Sequence, residues 1–98
     1  VSLLHPDHYV LQVKGNSMID EQIHDKDYIV ARKTNTARSG QIVVALINGE
    51  ATLKYYVQGP GGVELHPRNP DFPIIKVDPK DDFHINGVLL YSFRNYLN

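Results

Sequence analysis

Asn48-Gly49 lies between two β-rich runs, QIVVALI (41–47) and EATLKYYV (50–57), and this dipeptide constrains the fold of the 98-residue chain more tightly than any other feature. A two-residue Asn-Gly loop specifies a type I′ turn, because both central residues must take positive φ. Such a hairpin fixes register, so opposed residues can be named. Ile47 faces Glu50, Leu46 faces Ala51, Ala45 faces Thr52 and Val43 faces Lys54. The run 41–47 is apolar on both faces, which marks a buried central strand. Lys54 therefore shares a sheet face with Val43, Ala45, Thr52 and Tyr56, and none of these is a carboxylate.

A lysine placed there has two readings. Its stem can lie on the sheet with the head in water. Alternatively, desolvation without a counter-ion lowers its pKa and makes it a base. An ordinary lysine, with a pKa of about 10.4, is neutral in only roughly 0.04% of molecules at pH 7. To serve as a base it must lose about 4 kcal/mol of preference for the charged form.

The rest of the chain also reads as strands. HYVLQVK (8–14) puts Tyr9, Leu11 and Val13 on one face by period two, and DYIVARK (27–33) is a second strand. Residues 18–23 make one short amphipathic helical turn at most. After the hairpin, Gly59-Pro60-Gly61-Gly62 turns the chain again. Residues 63–66 and 73–77 are short strands parted by a bend, where Pro67, Pro70 and Pro73 bar regular ladders. FHINGVLLYSF (83–93) is a long last strand with a bulge or bend expected at Gly87. The expectation is one all-β domain over residues 1–98: a folded sheet or partly open barrel of about seven short strands.

Bulk properties exclude several functions. Net charge is −1, so no basic field marks a nucleic-acid binder. There is no cysteine, which removes disulfide and thiolate chemistry and fits a reducing, cytoplasmic setting. The longest apolar run, 42–47, is far too short to span a bilayer, and no signal-peptide pattern opens the chain. The abrupt start at Val1 reads as a fragment or a processed product.

A candidate partner for Lys54 stands in VKGNSMID (13–20). Ser17 stands two residues after Gly15, where a strand-like run stops. With Asp20 three residues on it fits the capping pattern of a helix start. The same serine could act as a nucleophile if the fold set a base beside it, and neutral lysine is such a base. From these residues alone both readings stay open.

Three blocks together carry a family resemblance. The first is Gly15-Asn16-Ser17-Met18-Ile19-Asp20, then Ile23, then Asp25-x-Asp27-Tyr28-Ile29-Val30. The second is Gly40-Gln41-Ile42-Val43-Val44-Ala45 leading to Gly49-Glu50-Ala51-Thr52-Leu53-Lys54. The third is Leu65-x-Pro67-x-Asn69-Pro70, Pro73-Ile74-Ile75-x-Val77 and Gly87-Val88. In this order and spacing, over about residues 6–96, the chain resembles the Ser/Lys self-cleaving C-terminal domain of LexA-type repressors, within the LexA, UmuD and signal-peptidase superfamily. The resemblance implies Ser17 as nucleophile, Lys54 as general base, and the backbone N–H groups of Asn16 and Ser17 as the oxyanion hole. It implies a substrate groove at Met18, Ala51 and Thr52, no cofactor, and cleavage of a small-residue–Gly bond in an upstream loop. It also implies a homodimer built near Leu89 to Phe93, activation by a RecA–single-stranded DNA filament, DNA contact only through a separate N-terminal domain, and no membrane partner. A UmuD-like polymerase subunit and a phage repressor are the alternatives; a signal peptidase would call for a membrane anchor and a larger insertion.

Two positions depart from the family pattern. Lys26 stands where the family carries glycine, so a different local turn is expected, because positive φ disfavours lysine. No small-residue–Gly dipeptide precedes Ser17, so the chain reads as a catalytic core that acts on a segment supplied in trans. Other candidates carry less. His5 and His8 lack a third nearby ligand, and no metal site is expected. His24, His66 and His84 are scattered; Asp25 and Asp27 suit a turn; Tyr55 and Tyr56 suit the core and its rim.

Overall fold

Seven antiparallel strands make a single sheet in the computed structural model, which describes residues 5–96. They are β1 (His8–Gln12), β2 (Tyr28–Arg32), β3 (Ile42–Ile47), β4 (Glu50–Gly59), β5 (Gly62–His66), β6 (Ile75–Lys76) and β7 (Phe83–Phe93). Their order is β1-β2-β7-β3-β4-β5-β6, so the sheet has two ends and does not close into a barrel. β3 is the central strand, as its two apolar faces require. The only helix among the described residues is a 3₁₀ turn at Ile19–Glu21.

The Asn48-Gly49 hairpin forms in the expected register. φ is 51° at Asn48 and 83° at Gly49, and Val43 pairs with Lys54. Alternation of side chains then feeds two apolar clusters. Val43, Ala45, Tyr56, Leu65, Ile85 and Val88 form one. Met18, Ile23, Ile29, Ala31 and Val44 form the other, beneath the segment that carries Ser17.

β7 serves two neighbours in turn. Its first half pairs with β3 and its second half with β2, with Val88 partnered on both sides. Both ladders slip once: Asn86 is the extra residue opposite Val44/Ala45, and Leu90 the extra one opposite Val30/Ala31. Gly87 sits next to the first bulge because a Cβ there would run into the Tyr9 ring and stand 3.0 Å from the Arg32 carbonyl oxygen. At and beyond the second bulge, Leu90, Tyr91 and Phe93 are all exposed. The expected strand at 73–77 shortens to Ile75–Lys76, because Pro73 cannot donate to a ladder.

Besides its two outer edges, the sheet leaves inner strand segments unpaired among the described residues, because neighbouring strands differ in length. β5 covers β4 only from Tyr55 to Gly59, so Glu50 to Lys54 is unpaired along that edge. β3 covers β7 only up to Val88, which leaves Leu89 to Phe93 open on the same flank.

Candidate functional site

The turn that carries Ser17 is pinned from several directions. Gly15 has φ 84°, a left-handed conformation that glycine takes at no steric cost. Its N–H donates to Asp25 Oδ1 (2.7 Å), and the Asp25 N–H donates to Asn16 Oδ1 (2.9 Å). Asp25 is thus the turn residue its sequence context suggested. The capping expectation for Ser17 fails: the N-cap of the 3₁₀ turn is Met18, and no side chain among the described residues caps it. The Asp20 N–H goes instead to the Arg68 carbonyl oxygen (2.7 Å), and the Ser17 hydroxyl is left for another partner.

That partner is Lys54. Its Nζ donates to Ser17 Oγ (2.9 Å) and to Thr52 Oγ1 (2.5 Å). Lys54 is 7% exposed, so its head is not in bulk water. Burial pushes its pKa below the ordinary lysine value. The hairpin register sets this geometry, because Thr52 and Lys54 lie on one face two residues apart.

Beside the pair lies a cavity of about 140 Å³, lined among others by Leu11, Gln12, Ser17, Met18, Ala51 and Leu53. Two free strand edges border it. The closing pair of a two-residue hairpin is hydrogen-bonded, so Glu50, Thr52 and Lys54 turn their main-chain groups toward β3. Ala51 and Leu53 therefore turn theirs to the uncovered edge. On β1, an outer strand, Val13 bonds Asp27 and Asp7 bonds Lys33. The same alternation leaves Val10 and Gln12 facing outward. Past Leu11, Val44 and Ala51 the groove widens toward Tyr9, Thr34 and Ile85.

The structure thus gathers Asn16, Ser17, Met18, Ala51, Thr52 and Lys54 at one place. Sequence reasoning missed the support around them. The Arg68 N–H donates to the Ser17 carbonyl oxygen (2.7 Å), and Asn69 Nδ2 donates to the Asn16 carbonyl oxygen (2.8 Å). The Arg68 guanidinium stacks 3.9 Å over the Tyr55 ring, and its Nε lies 3.3 Å from Glu21 Oε1 without hydrogen-bond alignment. Asn-Pro favours turn initiation, but no local pattern in it names Asn16 as the target of its side chain. Arg94 was also missed. It grips buried Asp27 with Nε on Oδ1 (2.6 Å) and Nη2 on Oδ2 (2.9 Å), which holds that carboxyl down to about 2.

The remaining candidates stand apart from the site. The His5 and His8 rings stack on each other, His66 contacts Glu64 and His84 contacts Asp82. Lys26 does not reshape its turn. It adopts φ 72°, the left-handed conformation expected of glycine there.

The match to known proteins agrees with this geometry. The model of the Peptidase S24-like family matches residues 2–90. The chain is 48% identical over 91 residues to the LexA repressor of Syntrophotalea carbinolica, covering 92% of this chain and 45% of that protein. It is 43% identical over 91 residues to the LexA repressor of Paracidovorax citrulli, covering 93% and 41%. It is 49% identical over 80 residues to that of Stenotrophomonas maltophilia, covering 82% and 38%. The chain therefore spans less than half the length of these relatives. No described helix is long and apolar enough to cross a membrane. A Peptidase S24-like match over nine-tenths of the sequence, on an open antiparallel sheet that sets a serine against a buried lysine, makes this chain a member of that family, with the LexA type of C-terminal domain.

Proposed function

We propose that residues 1–98 are the self-cleaving and dimerising domain of a DNA-damage (SOS) repressor. The observation that carries this reading is the 2.9 Å contact between Ser17 Oγ and a lysine that is buried with no carboxylate bonded to it among the described residues. In its neutral form Lys54 keeps one N–H on Thr52 Oγ1 and turns its lone pair to the Ser17 hydroxyl. Lys54 takes the hydroxyl proton as Oγ attacks the carbonyl of a small-residue–Gly bond. The N–H groups of Asn16 and Ser17 receive the oxyanion. Neither donates to another group among the described residues. Lys54 then returns the proton to the leaving amine. Water, deprotonated by the same lysine, releases the acyl group from Ser17.

The scissile segment enters as an extended strand. The outward main-chain groups of Ala51 and Leu53 on one side, and of Gln12 on the other, offer it hydrogen bonds, as in strand addition to a sheet edge. Ala51 keeps that edge clear of bulk. The uncovered flank of Leu89 to Phe93, with exposed Leu90, Tyr91 and Phe93, supports a two-fold homodimer there. DNA contact belongs to a separate domain. A RecA–single-stranded DNA filament acts by favouring the cleavable loop conformation and supplies no catalytic group. The setting is cytoplasmic, with no cofactor.

The test is self-cleavage of the full open reading frame, followed by mass spectrometry between pH 7 and 10, with Ser17→Ala and Lys54→Ala alongside. The wild type alone should cut, and faster as pH rises. Cleavage by Lys54→Ala at the wild-type rate would sink the mechanism. A released piece long enough for a helix-turn-helix, about 60–70 residues, supports the repressor. A short released arm points to a UmuD-like polymerase subunit.

A further inference from the structure

The Asn16–Ser17 peptide is held by a side chain from a distant loop. Asn69 and Phe72 close a β-turn, Phe72 N–H to Asn69 carbonyl at 3.1 Å, with Pro70 at its second position. The Asn69 side chain completes it, since Oδ1 accepts the Asp71 N–H (2.9 Å). That bond leaves the Nδ2 end of the carboxamide pointing at the Asn16 carbonyl oxygen, 2.8 Å away. Only one orientation of the amide satisfies both contacts, because an N–H must meet a carbonyl and an oxygen must meet an N–H.

The consequence follows from peptide geometry. In a planar trans peptide the C=O and the next N–H point in opposite directions. Fixing the Asn16 carbonyl therefore fixes the direction of the Ser17 N–H. Without Asn69, that carbonyl keeps, among the described residues, only the Ile19 N–H at 3.3 Å. The neighbouring restraints act elsewhere: Asp25 holds the Gly15 N–H and the Asn16 side chain, and the Arg68 N–H holds the Ser17 carbonyl. Among the described residues, Asn69 supplies the one side-chain bond that lands on the Asn16–Ser17 peptide.

We infer that Asn69 is a positioning residue, whose carboxamide aims the Ser17 N–H at the oxyanion of the reacting carbonyl. This rests on the Ser17/Lys54 reading above. It predicts an effect on the maximal rate and not on the lysine, because Asn69 does not touch Lys54.

The test uses diisopropyl fluorophosphate on the 98-residue chain, which needs no scissile loop. Ser17 Oγ bonds phosphorus, the P–F bond breaks, fluoride leaves, and the hydroxyl proton passes to Lys54. The phosphoryl oxygen occupies the place of the oxyanion. Two variants keep an acceptor for the Asp71 N–H and lose the bond to Asn16. Asn69→Asp has no donor, and Asn69→Ser is too short. Labelling is followed by intact mass from pH 7 to 10, with Ser17→Ala and Lys54→Ala as controls and a thermal melt to establish folding. Both variants should label roughly 10- to 100-fold more slowly than wild type at every pH, with an unchanged pH midpoint. A folded variant that labels within about twofold of wild type, or a slowdown that comes with a moved midpoint, overturns the inference. Wild type that labels no faster than Ser17→Ala refutes the nucleophile itself and the positioning role with it. Normal wild-type labelling with unaffected Asn69 variants refutes the positioning role alone.

Discussion

Lys54 Nζ reaches Ser17 Oγ at 2.9 Å across 37 positions of sequence, and its other bond goes to Thr52 Oγ1 on its own strand. Burial lowers the lysine pKa, so the neutral amine is the species that gains with pH. Self-cleavage should accelerate as pH rises and level off below the ordinary lysine value of 10.5. Lys54→Arg cannot deprotonate and should lose about 10²- to 10⁴-fold in rate. Thr52→Val removes the acceptor that orients the amine and should cost about tenfold. A pH–rate profile by mass spectrometry checks all three.

The same burial carries a stability penalty with a definite sign. The folded state binds its lysine proton less tightly than the unfolded chain does. The penalty is full below the folded pKa and is relieved as pH climbs toward the unfolded value of 10.5. Lys54→Met should therefore be inactive and yet more stable at pH 7, by roughly 1 kcal/mol or about 4–8 °C in Tm. Calorimetry at pH 7 and pH 10 should show the gap narrowing at the higher pH. A gap that is constant or widens contradicts a desolvated lysine.

Asp27 has the opposite sign. It is 2% exposed and clamped by Arg94, and its carboxyl titrates at about 2 instead of 3.8. Its contribution is present above about pH 4 and disappears as pH falls through 2. Asp27→Asn should lower Tm by roughly 5–10 °C at neutral pH, and the difference from wild type should vanish near pH 2. An equal difference at both pH values would show that the pair does not govern the acid limb.

Much of the scaffold was legible because its signals are local. Asn48-Gly49 chose a turn, the turn chose a register, and the register placed Lys54 opposite Val43. The central position of β3 followed from its two apolar faces. What local pattern could not give was partnership across the chain. Ser17 looked like a cap because Asp20 lies three residues on, but the loop at Arg68 takes the Asp20 N–H. Asn69 and Arg94 carry no period or spacing that names Asn16 or Asp27 as targets. Gly87 was read as a bulge or bend, while its tightest constraint is the ring of Tyr9 from a strand that does not pair with β7.

That ring makes Gly87 testable. A methyl group there would clash with the Tyr9 hydroxyl and ring and crowd the Arg32 carbonyl. The hydroxyl also donates to the Asn86 carbonyl oxygen (2.8 Å), so it cannot swing away without losing that bond. Gly87→Ala should cost about 2 kcal/mol in denaturant unfolding. Adding Tyr9→Phe should recover part of the loss, because the phenol oxygen is the nearest obstacle. No recovery would mean that the Arg32 backbone sets the limit.

Lys26 is a strained residue in a turn that orders the site. It holds φ 72° between Asp25, which anchors Gly15 and Asn16, and Asp27, which anchors Arg94. A non-glycine residue in this region costs about 1 kcal/mol or more, while glycine adds freedom to the unfolded chain that offsets part of the gain. Its N–H donates to the Val13 carbonyl oxygen (2.8 Å) and its carbonyl accepts from Gln12 Nε2 (3.3 Å); glycine keeps both main-chain groups. Lys26→Gly should therefore raise stability by about 0.5–1 kcal/mol, or a few degrees in Tm, without moving the pH midpoint of the Ser17 reaction. A lower Tm would show that the lysine side chain stabilises the turn by more than its backbone strain costs.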